Sequence, residues 1–527
     1  MNNYIKIAVA LLLLVMPVAC KDTSLLDIPD PNTFTNGDFW KTEQDVDQGL
    51  IAVYNYFYKE GTWTRNIYTQ MDGMADDGVS YAGWTELNEW TKFIYTNYDF
   101  AESGVKIWSN MYTAIFRANQ VLAHVDDVPF SSDQKKNQVI GQAKFLRAFY
   151  YFYLEVLWEN IPLVLQPSSA GDAPKQNTPD EVWAQIESDF TDAASVLPDQ
   201  WDAANIGRPT KGAALAFLGK SYMQQHKWQQ AKDAFSWLVE GDGKAYYSLV
   251  PNYDDNFTDA NENNKESVFE IQFSMVYPTG YDDDFNSTSE LGTQHAMNAS
   301  PKGLGWNNIQ ASRWLVDYYK REKTMDGKND IRLFDNLWYD QRGNDFPDHA
   351  DTLIYGRTWQ ADPTWGKQVF IRKYSSTLPG QNVEYFWNDV NYRIIRYAGV
   401  LLDYAEVLNE LNGGPTPLAI QCVDRVRARA KLFPLAQSAY YTDPGILTDH
   451  DKFLRHLQTE RALELPLECQ RWIDLKRWGI LDNQSGIDEV KQRDPDYNNF
   501  ILNKSSRLPL PQSEVDNNPN LKQNPNY

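Results

Sequence analysis

Residues 211–240 read KGAALAFLGKSYMQQHKWQQAKDAFSWLVE. Leu218, Gly219 and Tyr222 are followed by Trp228, Ala231 and Phe235, the L-G-x2-Y then A-x3-F spacing of a tetratricopeptide repeat. Gly219 and Ala231 are small where two helices must cross closely, and Tyr222 and Phe235 fill the spaces beside them. One such hairpin cannot bury its apolar face alone, so further copies are expected. They are present in degenerate form. At 181–198, EVWAQIESDFTDAASVLP has Phe190, Ala193 and the terminating Pro198 of a second half-repeat. Its partner is the helix over 138–158, where Phe145, Phe149, Phe152 and Val156 form one stripe and Tyr150, Tyr153 and Leu157 another. A helix apolar nearly all round is expected to be central. At 397–430, Gly413, Gly414 and Pro415 make the turn between two more helices.

Outward from these, 106–125 reads as a helix. So does a segment after Thr42–Asp45, a capping-box-like start with Val46, Leu50, Val53 and Phe57 on one face. The fold class is mainly α, with tetratricopeptide-like helices over about 38–58, 106–240 and 396–480. Between the last two sets, 241–395 breaks the rhythm. It is rich in Asn, Asp, Gly, Pro and aromatics, with short strand-like runs at 267–273 and 367–374. Long irregular segments with this much aromatic content are functional more often than disordered.

The N-terminus supplies location. Residues 1–19 carry Lys6 and then an apolar run too short to span about 30 Å of hydrocarbon, so they read as a signal peptide. Cleavage after Ala19 would expose Cys20, as in the lipobox of bacterial lipoproteins, although Pro17 stands where an apolar residue is usual. Acylated, Cys20 is a membrane anchor; the alternative is ordinary cleavage with an incidental thiol. Residues 20–37, with Pro29, Pro31 and Gly37, form the lipidated end and its tether.

Composition excludes some classes. A net charge of −22 over 527 residues argues against nucleic acid and against electrostatic attraction to anionic lipid. With three cysteines there is no disulfide scaffold; Cys422 and Cys469 either pair or stay buried. The chain has 18 Trp and 31 Tyr, more amphipathic rings than a core needs, which leaves some for a binding surface.

Several segments taken in order resemble one family. They are AKFLRAFYYFYLEVLWENIPLV (143–164), RPTKGAALAFLGKSYM (208–223), YDDNFTDANENNKESVFEIQFS (253–274), KNDIRLF (328–334), LLDYAEVLNE (401–410), ERALELPLECQRWIDLKRWG (460–479) and the tail RLPLPQSEVDNNPNLKQNPNY (507–527). Behind a lipobox they resemble SusD/RagB-type outer-membrane lipoproteins of glycan-utilising bacteria. Leu510 stands where the tail more often has Ile, and Cys469 follows Glu468 where Gly is common. The resemblance implies a single domain over 38–527, with the helices on one side and the irregular insertion forming the ligand-binding side. It implies a cell-surface protein that captures an oligo- or polysaccharide and acts as a lid on a SusC-like TonB-dependent transporter, without catalysis or cofactor. Lys21 and Asp22 faintly resemble the charged signals that send such lipoproteins to the surface. RagB-type relatives take peptides, which is one alternative reading.

Sugar recognition has its own logic. A pyranose stacks its C–H face on Trp or Tyr, and its hydroxyl rim needs planar polar partners. Two loop clusters fit. In 63–90, Arg65, Asp72, Asp76, Trp84 and Asn88 are the candidate contacts; in the insertion, Trp306, Trp359 and Trp365 are, with Arg357 nearby. Trp84 and Trp306 lead, because Gly83 and Gly305 precede them and suit exposed turns. The negative charge favours a neutral glycan over a polyanionic one. The acidic run YDDDFNST (281–288) lacks the Gly and Glu of an EF-hand, leaving only a casual structural calcium site. A glycoside hydrolase is the other alternative, since two carboxylates among 71 acidic residues would suffice; no HExxH, GxSxG or metal-ligand spacing accompanies them.

Overall fold

The computed structural model describes residues 39–527 except positions 82, 100–103, 170, 275–290, 342–344, 347–353, 356, 360–364 and 376–387. Cys20, the signal peptide, the tether and the acidic run 281–288 lie outside the described residues.

The first part of the chain is helical. It contains α1 (Glu43–Tyr54), α2 (Asn66–Met74), α3 (Thr85–Thr91), α4 (Lys106–His124), α5 (Asp133–Trp158), α6 (Pro179–Val196), α7 (Lys211–Gln224) and α8 (Trp228–Val239), with the short strand β1 (Gly78–Ser80) between α2 and α3. Each start has a local cause. Thr42 and Asp45 make the reciprocal capping box of α1, and Thr178 and Glu181 make that of α6, where Pro179 takes the first helical position. Ser132 caps α5 through the Lys135 N–H, so this helix begins about a turn earlier than its aromatic stripe suggests. It ends at Trp158 because Glu159 and Asn160 take positive φ, four residues before Pro162 is passed.

The helices stack in sequence: α1 on α4, α4 on α5, α5 on α6, α6 on α7, α7 on α8. The series continues through the later helices α12 (Tyr397–Asn412), α13 (Pro417–Arg429) and α14 (His450–Glu464), with α12 packed on α8, α13 and α14. Gly413 closes α12 in the left-handed region at φ 64°. α5 is central as its sequence requires: Phe145, Phe149 and Phe152 lie 5.3–5.8 Å, centroid to centroid, from Phe217 of α7. Such pairs add about 0.5–1.5 kcal/mol each beyond simple burial.

Gly219 is small for a visible reason. A Cβ there would stand 2.5 Å from the Phe235 ring of α8. Gly219→Ala gains about 1 kcal/mol of helix propensity, but overpacking a filled core costs about 1–3 kcal/mol. The expected result is a lower midpoint in urea; a raised midpoint would show that Phe235 yields without strain.

Among the described residues, three two-stranded antiparallel ribbons hold the irregular part. β2 (Ser267–Ile271) pairs with β6 (Tyr392–Arg396), and β4 (Leu337–Trp338) with β5 (Phe370–Ile371). β1 pairs with β3 (Ile309–Ala311), Gly78 opposite Ala311 and Ser80 opposite Ile309. The strand-like runs at 267–273 and 367–374 therefore hold β2 and β5. The short helices α9 (His295–Ala299), α10 (Arg313–Tyr319) and α11 (Ile331–Asn336) fill the spaces between ribbons. After α14 come α15 (Arg471–Arg477), α16 (Gln484–Lys491) and α17 (Gln512–Asn517). Cys422 and Cys469 are both buried free thiols.

A buried ionic network joins the two parts. Arg396, at the β6–α12 junction, reaches Glu266 at 2.7 Å, Glu464 at 2.9 Å and Glu468 at 2.8 Å. Arg332 of α11 reaches Asp330, Glu460 and Glu464 at 2.7–3.0 Å. Arg429 adds Glu266 at 2.9 Å and Glu464, and Lys373 adds Glu468 at 2.6 Å. The ERALELPLECQRWIDLKRWG run is thus a spine of charges that ties the insertion to the helical stack.

Candidate functional site

The site begins where helix α1 gives out. Residues Glu60–Thr64 make one π turn broken at Thr62, whose φ of −115° and ψ of −141° are not helical. The break divides the roles of neighbours. Trp63 turns inward, fully buried, with its ring 4.9 Å from both Phe149 and Tyr153. Arg65 turns outward and donates to Glu60 at 2.5 Å, a carboxylate that Lys106 also engages.

The Arg65 guanidinium lies between two indoles, 4.5 Å from the Trp84 centroid and 5.0 Å from that of Trp306. Both rings are half-buried. Cation–π contact of this kind orients planar groups. Trp84 and Trp306 are 222 positions apart, and the β1–β3 ribbon is what brings their segments together. Asn88 braces the turn, donating to the Trp84 carbonyl at 3.3 Å and accepting from Ser80 at 3.1 Å.

The two glycines before these tryptophans differ. Gly83 has nothing within 4 Å of where a Cβ would be, so it lies in an open turn. Gly305 is hemmed in: a Cβ would strike the Met297 carbonyl at 2.6 Å. The Trp306 N–H donates to that same carbonyl at 2.9 Å, which fixes the loop.

From Trp306 the aromatic strip continues. Met297, Leu304, Trp306 and Tyr355 pack together, and Leu304 and Tyr355 also meet the cluster of Trp338, Ile354, Trp359, Trp365 and Phe370. Trp359 is half-buried, its indole N–H donating to the Gly366 carbonyl at 3.3 Å. Arg357 is exposed nearby, and Tyr81, 58% exposed, stands beyond the Trp84 turn. Tyr355 links the two clusters, and no feature of the sequence marked it, a lone Tyr in an irregular run.

Three candidates are placed elsewhere. Asp72 is buried and accepts the Cys469 N–H at 2.8 Å. Burial, and then Asp77, push its carboxyl well above the usual range. Asp76 is fully buried against Arg471 at 2.6 Å and Arg493 at 2.7 Å. Burial alone would raise it, but the two guanidinium groups outweigh that and hold it at about 2. Trp365 is 1% exposed and packs edge-on to Trp359 at 5.4 Å. These residues are withdrawn as ligand contacts: a buried carboxylate already bonded within the protein offers no lone pair to a surface ligand. Their work is structural. Asp72, with Asp77 accepting the Leu467 N–H at 3.0 Å, clamps the 467–469 loop, where Leu467 and Cys469 both take a φ of 58°; Asp76 ties Arg471 to Arg493, and Trp365 fills a small apolar cluster.

The remaining arrangement is a strip of half-buried rings with an arginine in a stack and Asn88 beside it. Beneath it the buried Gln310 of β3 donates to Asn307 at 2.7 Å and to the half-buried Gln368 at 2.8 Å, which fixes these amides in place. Flat rings with planar polar groups suit the faces and rims of sugars.

A model of the SusD family matches residues 265–527, and a second, described as starch-binding associating with outer membrane, matches 25–223. A SusD-like protein P2 of Formosa agariphila is 27% identical over the whole of both chains. Among solved structures, a SusD superfamily protein from Bacteroides vulgatus is 25% identical, with a TM-score of 0.77, over 93% of this chain and 100% of its own. A laminarin-binding SusD-like protein is 26% identical, with a TM-score of 0.73, over 92% of this chain and 100% of its own.

Proposed function

From the premise that the chain belongs to the SusD/RagB family, we propose that it is a cell-surface glycan-binding lipoprotein serving a TonB-dependent transporter. It is anchored to the outer membrane through Cys20. Arg65, Trp84, Asn88 and Trp306 form the centre of its ligand surface, with Trp359 and Tyr355 extending it. The observation that carries this reading is the Arg65 guanidinium stacked between two half-buried indoles on loops 222 positions apart in the chain. The arginine holds the two rings together, so that a saccharide meets aromatic walls and a charged hydrogen-bond donor in one place. The stacked helices, read as tetratricopeptide-like, face the transporter and leave the strip toward the captured chain, in the manner of a lid. The protein is proposed to bind without cleaving.

Native affinity electrophoresis of the soluble chain from Lys21 tests this against neutral and anionic polysaccharides, with laminarin included because one similar protein is laminarin-binding. Retardation by a neutral glycan, with no new reducing ends, is the expected result. Release of reducing ends would replace the reading with a hydrolase. Retardation by none, with peptides bound instead, would replace it with a peptide carrier.

A further inference from the structure

On the helical side, away from the aromatic strip, a cavity of about 320 Å³ opens between the end of α5, the start of α6, the end of α7 and the end of α15. Glu155 lines it. Its side chain is 1% exposed, and neither carboxylate oxygen has a hydrogen-bond partner in the protein. This sets it apart from the other buried glutamates. Glu406, Glu460, Glu464 and Glu468 each engage an arginine or lysine at 2.6–3.3 Å. The cations that line the cavity are committed elsewhere. Lys476 donates to the Val156 carbonyl at 2.7 Å and to Glu159 at 2.8 Å, and Arg477 gives its guanidinium to Glu406 and Asp474 at 2.8 Å.

A buried carboxylate without a partner is costly, and a chain that retains one leaves room for a counter-ion. One part of the wall is apolar, made by Val156, Pro179 and Trp183. Among the described residues no three His, Cys, Asp or Glu are placed to hold a metal ion. We propose that this cavity binds an organic cation, a primary ammonium or guanidinium group, with Glu155 as its counter-ion and Trp183 and Pro179 flanking its apolar stem. Two free carboxylate oxygens accept a guanidinium in parallel or two N–H bonds of an ammonium. Long basic side chains run their methylenes along such walls while the head seeks charge. The chemistry is shared by two sources, a free amine and a basic side chain of a protein docked on the helices.

The charged and titratable groups facing Glu155 are Glu159 on its own helix, Tyr112 on α4, Asp180 on α6, His226 after α7, Lys476 and Arg477 on α15 and Asp482 beyond it. Burial, with Glu159 adding to it and Lys476 opposing, pushes Glu155 up to about 8. The cation takes the ionised form, so binding releases a proton near neutrality. Affinity therefore rises as pH goes from 6 to 8 and levels off above that.

Isothermal titration of the mature, unacylated chain with 1,5-diaminopentane, n-propylguanidinium and the blocked tripeptides Ac-Gly-Lys-Gly-NH2 and Ac-Gly-Arg-Gly-NH2 tests it. Binding of at least one probe is expected, weakened at least tenfold and freed of its pH dependence in Glu155→Gln. Glu155→Asp, which keeps the charge one methylene back, should fall between. Tripeptides binding as well as free cations would identify a protein side chain as the source, and free cations alone a small amine. No binding by the wild type, or equal binding by a folded Glu155→Gln protein, would overturn the proposal; should that variant not fold, Glu155→Asp binding as tightly as the wild type would do so.

Discussion

Arg396→Met is expected to lower the stability of the protein by about 3–5 kcal/mol, the cost of breaking a buried ionic cluster by removing one partner. Arg396 is fully buried and serves three carboxylates at once, those of Glu266, Glu464 and Glu468. A methionine matches much of its length and leaves the three acids with Arg429, Arg332 and Lys373 only. Set against a typical total of about 5–15 kcal/mol, the loss is large. Urea unfolding at pH 7 reads it directly. A loss under about 1 kcal/mol would mean that the network is held by its other members. The same variant changes the acid limb. Burial alone would raise Glu464, but Arg429, Arg396 and Arg332 outweigh it and hold the carboxyl at about 2. A carboxyl depressed in the folded state stabilises above its unfolded pKa of about 4.5, and that contribution fades as pH falls toward 2. With Arg396 gone the depression is smaller, so acid unfolding should begin at a higher pH than in the wild type.

Trp84→Ala and Trp306→Ala are each expected to weaken glycan binding by about 30-fold or more, with both together abolishing measurable retardation. Aromatic anchors at the centre of a binding surface are worth about 2–4 kcal/mol, and each 1.4 kcal/mol is tenfold. Each change also releases Arg65 on one face, since its guanidinium lies 4.5 Å from one ring and 5.0 Å from the other. Arg65→Lys should weaken binding as well, because an ammonium does not fill a planar slot between two rings. Trp365→Ala is the counterpart. Its ring is buried, so it should lower thermal stability and leave the affinity of the folded protein within a few-fold. Wild-type affinity in both single variants, or loss of binding confined to Trp365→Ala, would mean that the ligand surface lies elsewhere.

The helical half of the molecule was readable residue by residue. Thr42 and Asp45 announced the start of α1, Gly413 to Pro415 the turn before α13, and the spacing of Leu218, Gly219, Ala231 and Phe235 the packing of α7 on α8. The two tryptophans singled out by their turns are the two that stack on Arg65, although only one of the glycines sits in an open turn. The acids of the MADDG run misled for a definite reason. A cluster of Asp in a loop-like stretch reads as exposed until its partners are known, and those of Asp76, Arg471 and Arg493, are 395 and 417 positions away.

What the sequence by itself determined is therefore what short-range chemistry determines: helix starts and stops, the apolar face of each helix, and the small residues that permit close crossing. These depend on periods of three to four residues and on caps within one turn. Only the tertiary structure decided which charges are buried in pairs, which rings line a surface and which carboxylate is left alone. Pairing across hundreds of residues leaves no local trace, since an Asp bonded to a distant Arg and an Asp in water have the same neighbours in the chain.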